Sequence, residues 1–97
     1  MITIKEATRN AIQFALDSLG EKRAEGIRLE EISSEDIDSA EYWMITLSMI
    51  DSEAMENPIN ALGASFGGRA KREYKVFAVA KSSGEVTAMR IRDFATT

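Results

Sequence analysis

The sequence predicts an α+β domain, with one N-terminal helix packed on a three- or four-stranded antiparallel sheet. Three observations carry this expectation. Apolar residues recur at helical spacing over residues 4–19. They alternate with the period of a strand over 42–50 and again near the C-terminus. The chain has 97 residues, 44% of them hydrophobic, enough for one core and too short for two domains. A domain of this size buries only about two-thirds of its unfolded surface.

The helix is the clearest element. Thr3 and Glu6 have the spacing of a capping box, in which each side chain satisfies the other residue's free backbone donor. On a helical wheel Ile4, Ala7, Ala11, Phe14 and Ala15 share one half with Ile12, Leu16 and Leu19. Glu6, Arg9, Asn10, Gln13 and Asp17 take the other half. Gly20 stands where a left-handed terminator is needed, so the helix is expected over about 4–19. Ala7, Ala11 and Ala15 run down the middle of the apolar half. A stripe of small residues lets a helix axis lie close to a flat sheet; a helix–helix docking stripe is the functional alternative.

Residues 21–26 form a polar connection ending in Gly26. Ile27 to Ile32 alternates briefly and reads as a short strand. Ser33 to Ala40 is acidic and reads as a turn. Tyr42 to Ile50 is the strongest strand, with Trp43, Ile45, Leu47 and Met49 on the face expected to meet the helix. The opposite face carries Met44 and Ile50, apolar enough to suggest a second contact surface such as a dimer interface. Isolated surface hydrophobes are the plainer alternative. Residues 51–71 lack strand periodicity and are punctuated by Asn57-Pro58, Gly63 and Gly67-Gly68, so a long loop is expected, with one helical turn near Pro58–Leu62. Strands over about 73–80 and 85–94 flank the turn Ser82-Ser83-Gly84 and make a hairpin. Phe77, Val79 and Val86 should face the helix. Strict alternation from Val86 would put Arg90 inside, which a bulge near Ala88 would repair.

One helix followed by antiparallel strands resembles the cystatin-like α+β roll. The run Phe77-Ala78-Val79-Ala80-Lys81-Ser82-Ser83-Gly84-Glu85-Val86 resembles the last hairpin of small PepSY-type domains, in which an Asp precedes a Thr-Gly-Glu turn and a Val follows. Gly84, Glu85 and Val86 match that pattern, while Ala80 and Ser83 stand where Asp and Thr are expected. Trp43 on the middle strand suits it as well. The resemblance implies the fold. It does not imply protease inhibition, because no Gln-x-Val-x-Gly loop is present.

Composition narrows the chemistry. The chain has neither Cys nor His. Thiolate catalysis, disulfides and Cys-based metal sites are excluded, and the usual general base near neutral pH is missing. Freedom from disulfides in so small a domain points to a cytoplasmic setting. The N-terminus does not read as a signal peptide, and no run approaches a membrane span. The formal net charge is −4, but it is unevenly placed. Residues 1–68 hold 5 basic and 13 acidic side chains, whereas residues 69–97 hold 7 basic and 3 acidic. Such polarity gives either a dipolar surface or two halves that pair with each other.

The candidate sites follow from that polarity. Glu35, Asp36, Asp38 and Glu41 form an acidic stretch that reads first as a solvated loop and second as a patch for a basic partner; their spacing does not match a calcium loop. Arg69, Lys71 and Arg72 begin a basic stretch that runs on through Lys75, Lys81, Arg90 and Arg92, suited to a second partner patch. The acidic sequence pI of about 4.8 argues against nucleic acid as its ligand. Gly63 to Gly68 is glycine-rich without the Gly-Lys-Ser/Thr ending of a phosphate loop. No titratable pair stands out for catalysis, no cofactor is implied, and so short a roll leaves little volume for a pocket of several hundred Å³. The expected function is therefore that of a small non-catalytic intracellular protein-interaction module, such as an adaptor, inhibitor or accessory protein. Its expected contacts are the acidic stretch, Met44, Ile50 and the basic stretch, with a homodimer possible. The alternatives are a ligand-binding protein or enzyme with a pocket between helix and sheet, and nucleic-acid binding through the basic half.

Overall fold

The computed structural model describes residues 1–50 and 72–92. One helix, α1 (Ile4–Arg23), is followed by four strands, β1 (Arg28–Ile37), β2 (Ala40–Ile50), β3 (Arg72–Ala80) and β4 (Val86–Arg92). The strands form one antiparallel sheet in the order β1-β2-β3-β4. The α+β class and the helix on an antiparallel sheet are as the sequence predicts.

The capping residue works in one direction. The Thr3 hydroxyl accepts from the Glu6 amide at 3.1 Å, satisfying one of the donors that a helix start leaves open. Gly20 breaks the helical geometry at φ 86° and ψ 160°, and Glu21–Arg23 add a last turn beyond that kink. The sequence places the break correctly and misses the turn after it, because Gly20 interrupts the helix without ending it.

The alanine stripe does what its spacing implies. Ala7, Ala11 and Ala15 are fully buried. They lie against a floor of Ile45, Leu47 and Met49 from β2 and Phe77 and Val79 from β3, all fully buried. Phe14 closes one side of the stripe with its ring edge-on to Phe77, at 6.1 Å between centroids. Burying each large side chain of that floor contributes roughly 1.5–3 kcal/mol, so this layer, rather than any surface ion pair, holds the domain together.

The first hairpin is longer than expected. β1 runs on to Ile37, and the acidic stretch Ser33–Ile37 is strand, paired with Ala40–Met44. Asp38 and Ser39 make the two-residue turn with φ of 49° and 68°, the left-handed geometry that tight hairpins demand. β1 is mostly exposed on both faces, so its sequence carries no apolar alternation to announce it.

The second hairpin is as expected, including its bulge. The register slips between Ala78 and Val79, so that Val86, Met89 and Ile91 lie opposite Val79, Phe77 and Lys75 on the helix side. Gly84 turns the chain at φ 79°, and a Cβ there would stand 2.9 Å from Asn10 Nδ2. Asn10 uses that closeness to donate to the Gly84 carbonyl at 2.9 Å, tying α1 to the turn. The expected helical turn near Pro58–Leu62, the glycine-rich run and the end of the last strand at Phe94 lie outside the described residues.

The close seating of α1 makes a direct test. Ala11→Leu should lower stability by about 1–3 kcal/mol in urea unfolding, since the added methylenes have no space against β2. Ser18→Leu, on the exposed side of the same helix, should change it by less than about 0.5 kcal/mol.

Candidate functional site

The site arises from uneven coverage of the sheet. α1 packs chiefly on β2, then on β3 and β4, and makes little contact with β1. The helix-facing side of β1 is therefore left open. A bulge at Glu30 sets both Leu29 and Ile32 on that side, opposite Leu47 and Ile45. Without the extra residue these two would point to opposite faces.

Between β1 and the flank of α1 lies an open groove of about 680 Å³. Leu29 and Ile32 form its sheet side, while Ile4, Thr8 and Ile12 form one row of its helix side. A second row, Lys5, Arg9 and Gln13, stands beside it. Ile4 and Leu29 are 44% and 42% exposed, a large share for aliphatic residues facing each other across a groove. The sequence argument that so short a roll lacks volume for such a space is corrected here. It assumed that the helix covers the whole sheet, and the helix covers three strands of four. Among the described residues the polar lining is Lys5, Thr8, Arg9 and Gln13, without a carboxylate.

The opposite face of the sheet shows where the uneven charge goes. Ser48 is fully buried; its hydroxyl donates to Glu30 at 2.5 Å and accepts from Arg72 Nε at 2.9 Å. Arg72 also donates to the Gly26 carbonyl. Arg28 holds the same Glu30 carboxylate at 2.9 Å. One step along, Arg92 reaches from β4 to Glu31 on β1 at 2.9 Å and to the Thr46 hydroxyl at 3.3 Å. Acidic β1 and the basic C-terminal strands thus pair across β2, the second of the two outcomes that the charge polarity allowed.

The sequence-predicted contact residues are scattered by this arrangement. Glu35 and Asp36 lie on β1, opposite Tyr42 and Glu41, with Asp38 in the turn, so the acidic four do gather at the tip of the first hairpin. They sit on strand and turn rather than on the expected loop. Among the described residues no three acidic side chains converge as metal ligands. Met44 is 9% exposed, and Ile50 packs over Gly26. Arg72 faces inward to Ser48, while Arg69 and Lys71 lie outside the described residues. Lys81 of the basic stretch is tucked over the Trp43 ring at 4.1 Å and donates to Ser34 at 2.5 Å.

Sequence reasoning missed the groove residues altogether. Ile4 and Ile12 were counted with the apolar half of the helix, and Lys5 carried no signal of its own. The only available hint was the number of apolar residues on the helix wheel, which spread wider than a small-residue stripe needs. No protein-family model, curated protein or solved structure matches the chain. Among the described residues no helix is long and apolar enough to cross a membrane.

Glu30 gives a pH test of the charge network. The Ser48 hydroxyl first, and Arg28 second, hold its carboxyl below the ordinary value of 4.5. A carboxyl depressed in the folded state contributes stability above its unfolded pKa and loses it as pH falls through the folded value. Glu30→Gln should therefore be less stable than wild type at pH 7. The two urea midpoints should converge as the pH drops below about 4. A constant gap down to pH 2.5 would contradict this assignment.

Proposed function

We propose that this chain is a small, non-catalytic protein-interaction module that receives part of its partner on the open side of α1 and β1. The groove there carries the proposal. It is the place among the described residues where aliphatic side chains from two elements remain exposed face to face, without a polar network to satisfy them. Groove surfaces of this kind are occupied by partner segments in many recognition modules. A helix followed by four strands in sequential order supports assignment to a cystatin-like roll. A cytoplasmic setting fits a domain that carries no Cys.

A small-ligand carrier is the second reading, favoured by the groove volume, which falls within the range of ligand pockets. Its enzymatic variant draws less support, because among the described residues no carboxylate lines the groove. Nucleic-acid binding also draws less support, since Arg72 and Arg92 direct their guanidinium groups to Ser48, Thr46 and Glu31. A homodimer through Met44 is weakened by the small exposed fraction of that side chain.

The proposal is tested by capture from the native host with the tagged full chain. Leu29→Glu/Ile32→Glu should lose the specifically captured partner while keeping the wild-type circular dichroism. Ile91→Glu, a substitution at an 80% exposed site on the far edge strand, should keep that partner. Retention of the partner by the groove variant would exclude this surface as the binding site.

A further inference from the structure

The chemistry of the groove narrows what occupies it, and this inference rests on reading the groove as the partner surface. We propose that the groove takes an amphipathic α-helix of a partner protein, with its aliphatic stripe against Leu29 and Ile32 and its acidic flank toward Lys5 and Arg9.

Three observations lead there. The first is width. A helix with its side chains is about 10 Å across, whereas strands stand about 4.8 Å apart, so a four-stranded sheet has room for two helices side by side. α1 packs on β2, β3 and β4, so the second would rest on β1 and overhang its edge. The second observation is texture. Most of the lining comes from α1, as two rows at four-residue spacing, Ile4–Thr8–Ile12 and Lys5–Arg9–Gln13. Such rows are the ridges into which another helix interlocks. A strand added at the free edge of β1 would instead lie beside Glu31, Glu35 and Asp36, away from both rows.

The third observation is charge. Among the described residues two cations and no anion line the groove. Both stand on the same flank of α1, one turn apart, so an acidic row on the incoming helix would meet them together. A second copy of α1 would bring its own Lys5 and Arg9 against these two. The like charges argue against self-association through this face. The occupant fitting all three observations is a helix that is aliphatic below and acidic along one side.

The test uses the full chain and two labelled synthetic peptides of about 18 residues, five helical turns. Both carry Leu at three- and four-residue spacing. One is flanked by Glu and the other by Lys. By fluorescence anisotropy the Glu peptide should bind about tenfold more tightly than the Lys peptide. The double variant Lys5→Glu/Arg9→Glu should reverse that order, and Leu29→Glu/Ile32→Glu should abolish binding of the Glu peptide. The bound Glu peptide should gain helical circular dichroism. Equal affinities, a preference for the Lys peptide, or a gain of strand signal would each overturn the helix assignment. If neither peptide binds while the captured partner still depends on Leu29 and Ile32, the helix assignment fails and the groove reading stands. If that partner is indifferent to Leu29 and Ile32, the groove reading itself fails.

Discussion

The depth to which α1 sinks onto the sheet is set by three methyl groups. Ala7, Ala11 and Ala15 bring the helix axis close enough for Ile45, Leu47 and Phe77 to close around it without solvent between. A helix seated this low has a narrow footprint. Its larger residues spread to the sides, with Phe14 toward Phe77 and Ile12 toward β1. The Phe14 side finds β3 beneath it, while Ile12 and Ile4 overhang Leu29 and Ile32 with space left between. The groove lies where this closely seated helix stops short of β1. A bulkier stripe would lift the helix and bring its flanks clear of both neighbouring strands.

The charges follow a different logic on the other face. Ser48 and Thr46 are buried polar groups in the middle of a strand, where an unsatisfied hydroxyl costs about 1–3 kcal/mol. Ser48 is satisfied by charged neighbours from both sides, Glu30 and Arg72, and Thr46 by Arg92 from one. An exposed ion pair alone contributes at most about 1 kcal/mol. These pairs matter because they also complete the hydrogen bonding of buried hydroxyls. They tie β1 to β3 and β4 across β2. Part of the chain's charge asymmetry is thus used within the fold.

Much of the fold was legible because its main elements advertise themselves through periodicity. Helical spacing from Ile4 to Leu19, alternation from Tyr42 to Ile50, and the slip needed to keep Arg90 outside are all consequences of burial on one side. Burial is what periodicity records. β1 beyond Ile32 is exposed on both faces, so Ser33 to Ile37 carry no such record, and the turn Asp38-Ser39 lacks the glycine that usually marks a tight hairpin. The candidate site was illegible for a related reason. A groove is a difference between what a helix could cover and what it does cover. That difference depends on where the helix axis lies over the sheet, a quantity that no residue of α1 expresses alone.

The two faces of β1 therefore put opposite demands on one strand. On the outer face Glu31 pairs with Arg92, while on the inner face Leu29 stays 42% exposed and Ile32 is only partly buried against the core. The Glu30 bulge reconciles them. It places one carboxylate against Ser48 and, in the same step, shifts the phase so that both aliphatic residues face α1. A regular strand would have turned Leu29 away from Ile32 and left half of the apolar wall. The acidic side chains along β1 also guard its free edge against indiscriminate strand pairing. The edge of β1 thus presents acidic side chains, while the groove beside it presents an aliphatic surface with a cationic rim.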